Sequence, residues 1–222
     1  MTLGRPRLHL RSVGSTNDRA RALAAQGAPH GTLVTADVQT AGRGRQGRNW
    51  VTPAAGALAA SLVLRAFDAL LPLRAGLAVA DVAGPRARVK WPNDVLLDGG
   101  KLAGVLVESR PAEAWAVLGI GVNVSVGLDA LPPGSATLGR GAGAVEPLLA
   151  ELLVALERRL DEPAEPVLAA LRERDALLGR RVRWPGGEGE GAGIAPDGGL
   201  RVRGAGGGEV VLSAGEVHLL DV

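Results

Sequence analysis

A chain of 222 residues, 46% of them hydrophobic, has the length and apolar content for one core-forming domain with room for a small appendage. No apolar run approaches the ~20 residues of a membrane span, the basic start over 1–10 lacks a signal peptide's apolar stretch, and without cysteine there is no disulfide, thiolate metal site or cysteine nucleophile; a cytoplasmic protein is expected. The pI near 9.9 reflects a small arginine excess in a chain without Tyr or Cys, and a net charge of only +2 does not single out nucleic acid as a partner.

Taken in chain order, residues 16–25 predict a helix capped by Ser15 or Thr16. A strand rich in β-branched residues follows over 31–39, then a Gly/Arg loop over 40–49 and a buried strand over 57–64. A short helix is expected over 73–82. Strands follow over 88–91, 94–97, 102–108 and 115–124, two of them joined as a hairpin by the Asp98-Gly99-Gly100 turn. Helices over 146–160 and 164–177 are separated by Glu162-Pro163. Beyond Leu178, short strand-like runs over 181–184, 190–194, 200–203, 209–212 and 216–220 alternate with Gly-rich turns, the pattern of a small barrel. The expected organisation is an α+β domain over 1–178 and a small β-barrel domain over 179–222.

The Gly/Arg loop contains Gly42, Gly44 and Gly47 at GxGxxG spacing. A dinucleotide fingerprint needs a helix opening at the loop; here Trp50-Val51-Thr52-Pro53 leads to a strand, so that reading fails. Walker A and kinase signatures are absent as well. What remains is a pliant loop carrying Arg43, Arg45 and Arg48, whose paired donors suit phosphate and which a polyphosphate would order over itself. The same composition also suits a solvated basic turn or an RNA-binding segment.

Of the 25 lysine and arginine residues only Lys90 and Lys101 are lysine, and asparagine survives only at 17, 49, 93 and 123. Where arginine is otherwise tolerated, a retained lysine is a candidate for a place that needs a compact ammonium; chance survival is the alternative. Lys90-Trp91-Pro92-Asn93-Asp94 packs a lysine, an amide and a carboxylate beside apolar strands, which is costly unless they are paired or used. Lys101 stands at the entrance of the strand that Gly104 interrupts, and Gly119 and Gly121 interrupt the next. Two adjacent strands with such gaps would leave a flat slot for a small ligand; bulges alone would account for them otherwise.

Together these segments resemble the biotin–protein ligase family, in order and over most of the chain. Ser15-Thr16-Asn17, Gln39 through Trp50, Lys90 to Asp94, Lys101 to Glu108 and Gly119 to Asn123 follow the family's pattern, and the tail over 193–220 is similar to its C-terminal barrel. Gln46 departs from the pattern, standing where the family usually has a further arginine. The resemblance implies a mixed-sheet catalytic domain like that of class II aminoacyl-tRNA synthetases and biotin ligases, plus an SH3-like barrel. Only 14 residues precede Ser15, so a monofunctional enzyme without the DNA-binding winged helix of some relatives is expected.

The activity implied is formation of biotinyl-5'-AMP and pyrophosphate from biotin and ATP, then transfer of biotin to a lysine of a biotin carboxyl carrier protein, that of acetyl-CoA carboxylase or a related carboxylase. The resemblance assigns catalytic roles to Lys101, Asp94 and Arg43. It assigns biotin binding to Ser15, Thr16, Asn17, Gln39, Gly42, Arg43, Gly44, Arg45, Lys101, Gly104 and Gly121. Adenylate binding falls to Arg43, Arg45, Arg48, Trp50, Lys90, Asn93, Lys101 and Asn123. Mg²⁺ is expected to arrive with ATP rather than in a protein metal site, and the chain to act as a monomer or homodimer without nucleic acid or membrane. A lipoate–protein ligase would share the chemistry, but the paired-arginine, triple-glycine element is absent. A biotin sensor without catalysis, or a nucleic-acid-binding module using the Arg loop, are the other readings; one Phe and no Tyr disfavour the latter.

Overall fold

The computed structural model describes residues 3–50, 56–204 and 206–220. In chain order it forms β1 (Arg7–Val13), α1 (Thr16–Ala25), β2 (Leu33–Gln39), β3 (Ala57–Leu64), α2 (Leu71–Ala83), β4 (Ala87–Lys90), β5 (Asp94–Leu97), β6 (Gly100–Arg110) and β7 (Trp115–Asn123). Then come α3 (Val145–Asp161), α4 (Ala164–Arg174), β8 (Arg181–Trp184), β9 (Gly187–Ile194), β10 (Leu200–Gly204), β11 (Glu209–Leu212) and β12 (His218–Leu219). Val51, Thr52 and Pro53, which weighed against a dinucleotide fold, lie outside the described residues.

Strands β1 to β7 make one mixed sheet in the order β1-β2-β3-β7-β6-β5-β4. Only β1 and β2 run parallel; every other neighbour is antiparallel. The centre is β3 on β7, buried along their whole lengths and paired from Ala57 with Asn123 to Leu64 with Ala116. Side chains alternate across a strand, so each has two distinct faces. One face of β3 and β7 carries Leu58, Leu62, Leu64, Leu118, Ile120 and Val122, which join α2 and α3 in the main core. The other carries Val63, Trp115 and Val117, which take Ala20 and Ala24 of α1.

That second face changes character along β7. After Trp115 and Val117 its next positions are Gly119 and Gly121. Opposite them on β6 stand Glu108 across from Val117, Leu106 across from Gly119, and Gly104 across from Gly121. Large side chains hold α1 at one end; glycines leave open floor at the other.

The α+β class and mixed sheet are as expected. The tail is a five-stranded antiparallel sheet, β11-β10-β9-β8-β12, whose ladder among the described residues stays open between β11 and β12. It meets the larger sheet at Trp91, whose indole Nε1 donates to the Gly198 carbonyl at 2.9 Å. Leu177, Val182, Leu200, Val202 and Val217 extend the main core beneath it. Several details differ from the sequence reading, most plainly at β1 and α4. Strand β1 was not expected, and α4 stops at Arg174 rather than 177. There Asp175 bridges Val89 of β4, and its carboxylate accepts the Leu177 N–H at 2.8 Å, so the chain leaves the helix to pair with the sheet.

Candidate functional site

Over the open floor lies a cleft of about 970 Å³, counting its mouth. Its floor is Gly104, Gly119 and Gly121, its inner wall Ser15, Thr16 and Asn17 at the start of α1, and its roof the loop from Arg43 to Trp50. The β4–β5 hairpin supplies Lys90, Asn93 and Asp94, and β6 supplies Lys101. Five basic side chains, Arg43, Arg45, Arg48, Lys90 and Lys101, line it against two carboxylates, Asp94 and Glu216. Such a balance draws in anions.

The inner wall is a buried chain of hydrogen bonds. Gln39 Oε1 accepts from the Thr16 backbone N–H at 2.8 Å and from the Thr16 hydroxyl at 3.0 Å. Ser61 of β3, fully buried, lies 2.8 Å from the Thr16 hydroxyl and donates to Asn17 Oδ1 at 2.6 Å. Asn17 Nδ2 donates to Glu108 at 2.9 Å, and Glu108 also takes Arg43 at 2.7 Å and Arg21 at 3.2 Å. Gly119 is the space that permits this: a Cβ there would stand 2.8 Å from Asn17 Cγ.

The loop has a fixed stem and a raised tip. Trp50 N–H bonds the Gly42 carbonyl at 2.9 Å, and Arg43 pairs with Asn49 as an isolated bridge. Arg43 folds inward onto Glu108 and Asp18, at 2.7 and 2.8 Å. At the tip, Gln46 takes a left-handed conformation with φ 55°. Arg45 donates to Asn93 Oδ1 at 3.1 Å, and Arg48 pairs with Glu216. Burial lowers the Arg45 guanidinium from its ordinary value, with Asp94 opposing and Arg48 reinforcing. The Trp50 ring lies in the glycine slot: Cβ atoms at Gly104 and Gly121 would meet its Cζ3 at 3.2 Å and its Nε1 at 2.6 Å.

At the slot's end the Lys101 ammonium pairs with Asp94 at 2.8 Å and sits 5.9 Å from the Trp50 ring centroid, within cation–π reach. Lys90 and Asp94 are cross-strand partners closing the β4–β5 hairpin. Burial pushes the Lys90 ammonium below its ordinary value; Asp94 opposes this, while Lys101 and Arg48 add to it. Asn93 Nδ2 donates to the Val105 carbonyl at 3.1 Å, which locks the hairpin tip onto β6.

Of the residues assigned catalytic or binding roles from sequence, all but two line this cleft. Gly42 sits at the stem of the loop. Asn123 lies at the end of β7, where its amide donates to the Ala136 carbonyl at 2.9 Å and the Lys101 carbonyl at 3.4 Å, fixing the turn behind Lys101. Sequence reasoning missed Ser61, which reads as part of an apolar run, and the role of Glu108 as junction of three donors. It also missed the contribution of Gly215 to His218, which line the cleft from the tail. Among the described residues no group of His, Asp and Glu is placed to hold a metal ion.

Comparison with known proteins gives the chain's family. The family model described as Biotin/lipoate A/B protein ligase family matches residues 10–125. A curated protein of Mycobacterium tuberculosis named biotin--[acetyl-CoA-carboxylase] ligase is 41% identical over 93% of this chain and 86% of its own length. One of the same name from Paracoccus denitrificans is 38% identical over 92% and 97%. A solved structure described as biotin protein ligase from Aquifex aeolicus in complex with biotin and ATP superposes with a TM-score of 0.82 at 27% identity, covering 97% of this chain and 98% of that one.

Proposed function

This chain belongs to the biotin/lipoate A/B protein ligase family, and from that premise we infer that its cleft joins biotin to ATP as biotinyl-5'-AMP and then passes biotin to a lysine of a carrier protein. It is an ATP-dependent biotin–protein ligase. The observation that carries the assignment to these residues is the Lys101–Asp94 pair, 2.8 Å apart at the end of a slot floored by Gly104 and Gly121 and roofed by an arginine loop.

The first step brings two anions together, the biotin carboxylate and the α-phosphate of ATP. Lys101 bridges them, and its charge is worth most where charge develops in the transition state. Arg45 and Arg48 take the phosphates through charge-assisted bonds. Arg43, held by Glu108 and Asp18, fixes the loop's stem. Thr16, Ser15 and Gln39 offer partners to a buried polar ureido group, which needs them once out of water. Trp50 leaves the slot and covers the ligand. Mg²⁺ comes with the nucleotide as part of the substrate, in keeping with a cleft that offers cations rather than a carboxylate cluster.

In the second step the carrier's lysine enters beside Asp94, which orients it and takes its proton. The mixed anhydride stays bound until then, since no cysteine is present to hold the acyl group. The carrier is the biotin carboxyl carrier protein of acetyl-CoA carboxylase or a related carboxylase. The enzyme works in the cytoplasm as a monomer or homodimer, and neither nucleic acid nor membrane takes part in the reaction.

The test is biotin-dependent exchange of labelled pyrophosphate into ATP, which needs no carrier. Exchange with biotin and not with lipoate is expected. Lys101→Ala should lower it by about 10²–10³, the usual loss for a transition-state charge partner. Exchange with lipoate alone would make the chain a lipoate ligase, and full exchange in Lys101→Ala would remove that residue from the chemistry.

A further inference from the structure

The hydrogen-bonded wall of the slot has fixed polarity at both ends, so its protons can be counted. At one end Glu108, paired with Arg21 and Arg43, accepts; Asn17 therefore turns Nδ2 toward it and toward the Leu106 carbonyl, and Oδ1 faces Ser61. At the other end the Thr16 backbone N–H can only donate, so the Gln39 atom 2.8 Å from it is Oε1. Between these ends lie three oxygen–oxygen contacts: Gln39 to Thr16 at 3.0 Å, Thr16 to Ser61 at 2.8 Å and Ser61 to Asn17 at 2.6 Å. Each contact needs a proton. The Thr16 and Ser61 hydroxyls bring one each, so the wall is one proton short.

The Ser61 proton is committed, because among the described residues Ser61 is the donor to Asn17 Oδ1. The shortage falls on Thr16. Its hydroxyl serves Gln39 and leaves two oxygens facing each other at 2.8 Å, or it turns to Ser61 and leaves Gln39. Thr16 and Gln39 line the cleft, while Ser61 is fully buried behind them. A ligand that brings an N–H to Gln39 Oε1 ends the shortage. The two lone pairs of Oε1 are then filled by that N–H and by the Thr16 backbone, the Thr16 hydroxyl turns to Ser61, and from Thr16 onward the side-chain bonds point toward Glu108.

We propose that Ser61 is a specificity-determining positioning residue. It receives the Thr16 hydroxyl when a ligand N–H displaces it from Gln39, so the slot selects a donor over an isosteric acceptor. A cyclic urea meets this demand. A cyclic carbamate, with oxygen in place of that N–H, leaves the wall one proton short and brings a further lone pair against Oε1. The proposal rests on the biotin reading above and deepens it, since Ser61 itself touches no ligand.

The test is calorimetric binding of biotin, and of the two cyclic carbamates in which one ureido N–H is replaced by oxygen, to the full chain and to Ser61→Ala and Ser61→Cys. In Ser61→Ala the Thr16 hydroxyl has no second acceptor, so biotin breaks a bond that a carbamate leaves intact. Biotin affinity should fall about five- to tenfold, and affinity for the carbamate the wild type rejects more strongly should change less than about twofold. Ser61→Cys, whose sulfur is a weak donor and acceptor, should fall between. A general loosening of the wall would weaken both ligands alike. Equal losses, unchanged biotin affinity, or a wild type that binds all three ligands equally overturns the proposal. Should Ser61→Ala not fold, Ser61→Cys decides: biotin loses more than the carbamate, or the proposal fails. Pyrophosphate exchange is run beside it, and biotin bound by the wild type without exchange overturns the adenylation reading instead.

Discussion

Consider a single methyl group added at Gly119. The Cβ of Gly119→Ala would stand 2.8 Å from Asn17 Cγ and closer still to Oδ1, so the Asn17 amide must leave its place. Two bonds go with it: the one from Ser61, at 2.6 Å, and the one to Glu108, at 2.9 Å. A neutral hydrogen bond contributes about 1 kcal/mol and one to a charged group about 1.5–3 kcal/mol, so the loss should be about 2.5–4 kcal/mol. At about 2–4 °C per kcal/mol for a chain of this size, that is a fall in Tm of about 5–15 °C. The control is the same substitution at Gly104, two ladder positions away on the same face. Its Cβ would press on the Trp50 ring, at 3.2 Å from Cζ3, and touch Lys101 Cε at an ordinary 3.6 Å; both neighbours are side chains that can yield. Gly104→Ala should keep its stability within about 0.5 kcal/mol of the wild type yet lose about tenfold in biotin affinity, because the methyl stands in the slot. Calorimetry reads both quantities. The reasoning is refuted by a Gly119→Ala protein that melts with the wild type, or by a Gly104→Ala protein that loses stability and keeps its biotin.

Three further outcomes are expected. Glu108→Gln replaces an acceptor of three donors with a half-donor amide; biotin affinity should fall about tenfold and the loop stem should become protease-sensitive, whereas unchanged affinity would make the Glu108 junction incidental. Arg74, buried on α2, binds Asp68 and the Arg159 and Glu162 carbonyls at the end of α3, so Arg74→Met should cost about 3 kcal/mol in denaturant unfolding without touching pyrophosphate exchange. Burial raises the Asp175 carboxyl, against the backbone N–H groups of Leu177 and Leu178. A carboxyl raised in the folded state binds its proton more tightly there than in the unfolded chain. Stability therefore falls as pH climbs from the ordinary carboxylate range through the raised value. Asp175→Asn should remove that fall, and identical pH–stability curves would show that Asp175 is not its source.

How much of this was legible depended on the kind of signal each residue leaves. Strands β3 and β7 announce themselves because central strands are apolar on both faces, and the loop announces itself by glycine and arginine density. Strand β1 alternates Leu8 and Leu10 with polar residues, and those leucines pack toward α1, but seven residues with two leucines give periodicity little to work on. Ser61 is invisible for a different reason. Inside an apolar run a serine reads as filler, and only the fold brings Thr16 and Asn17 against it from a helix 44 positions earlier. Helix α4 was extended too far because leucine and alanine continue its pattern past Arg174; the bridge between Val89 and Asp175 that ends it is a long-range pairing no local propensity reports.

The arginines illustrate the limit of reading chemistry from composition. In sequence Arg43, Arg45 and Arg48 are three equal candidates for phosphate. In the fold they differ in what a ligand must displace to recruit them. Arg43 would have to give up two carboxylates, Glu108 and Asp18, and one of those also holds Asn17 in the wall of the slot. Arg45 gives up one neutral amide oxygen, that of Asn93. Arg48 gives up Glu216, on a side chain that is itself mostly exposed, where solvent already weakens the attraction. A polyphosphate arriving over the cleft therefore takes the tip arginines first and leaves the stem where it is. Under the proposed mechanism one short loop then does two jobs: Arg43 and the backbone bond of Trp50 to Gly42 keep the slot's wall and the loop's base in register, while Gly44 and Gly47 let the tip bring Arg45 and Arg48 to the phosphates.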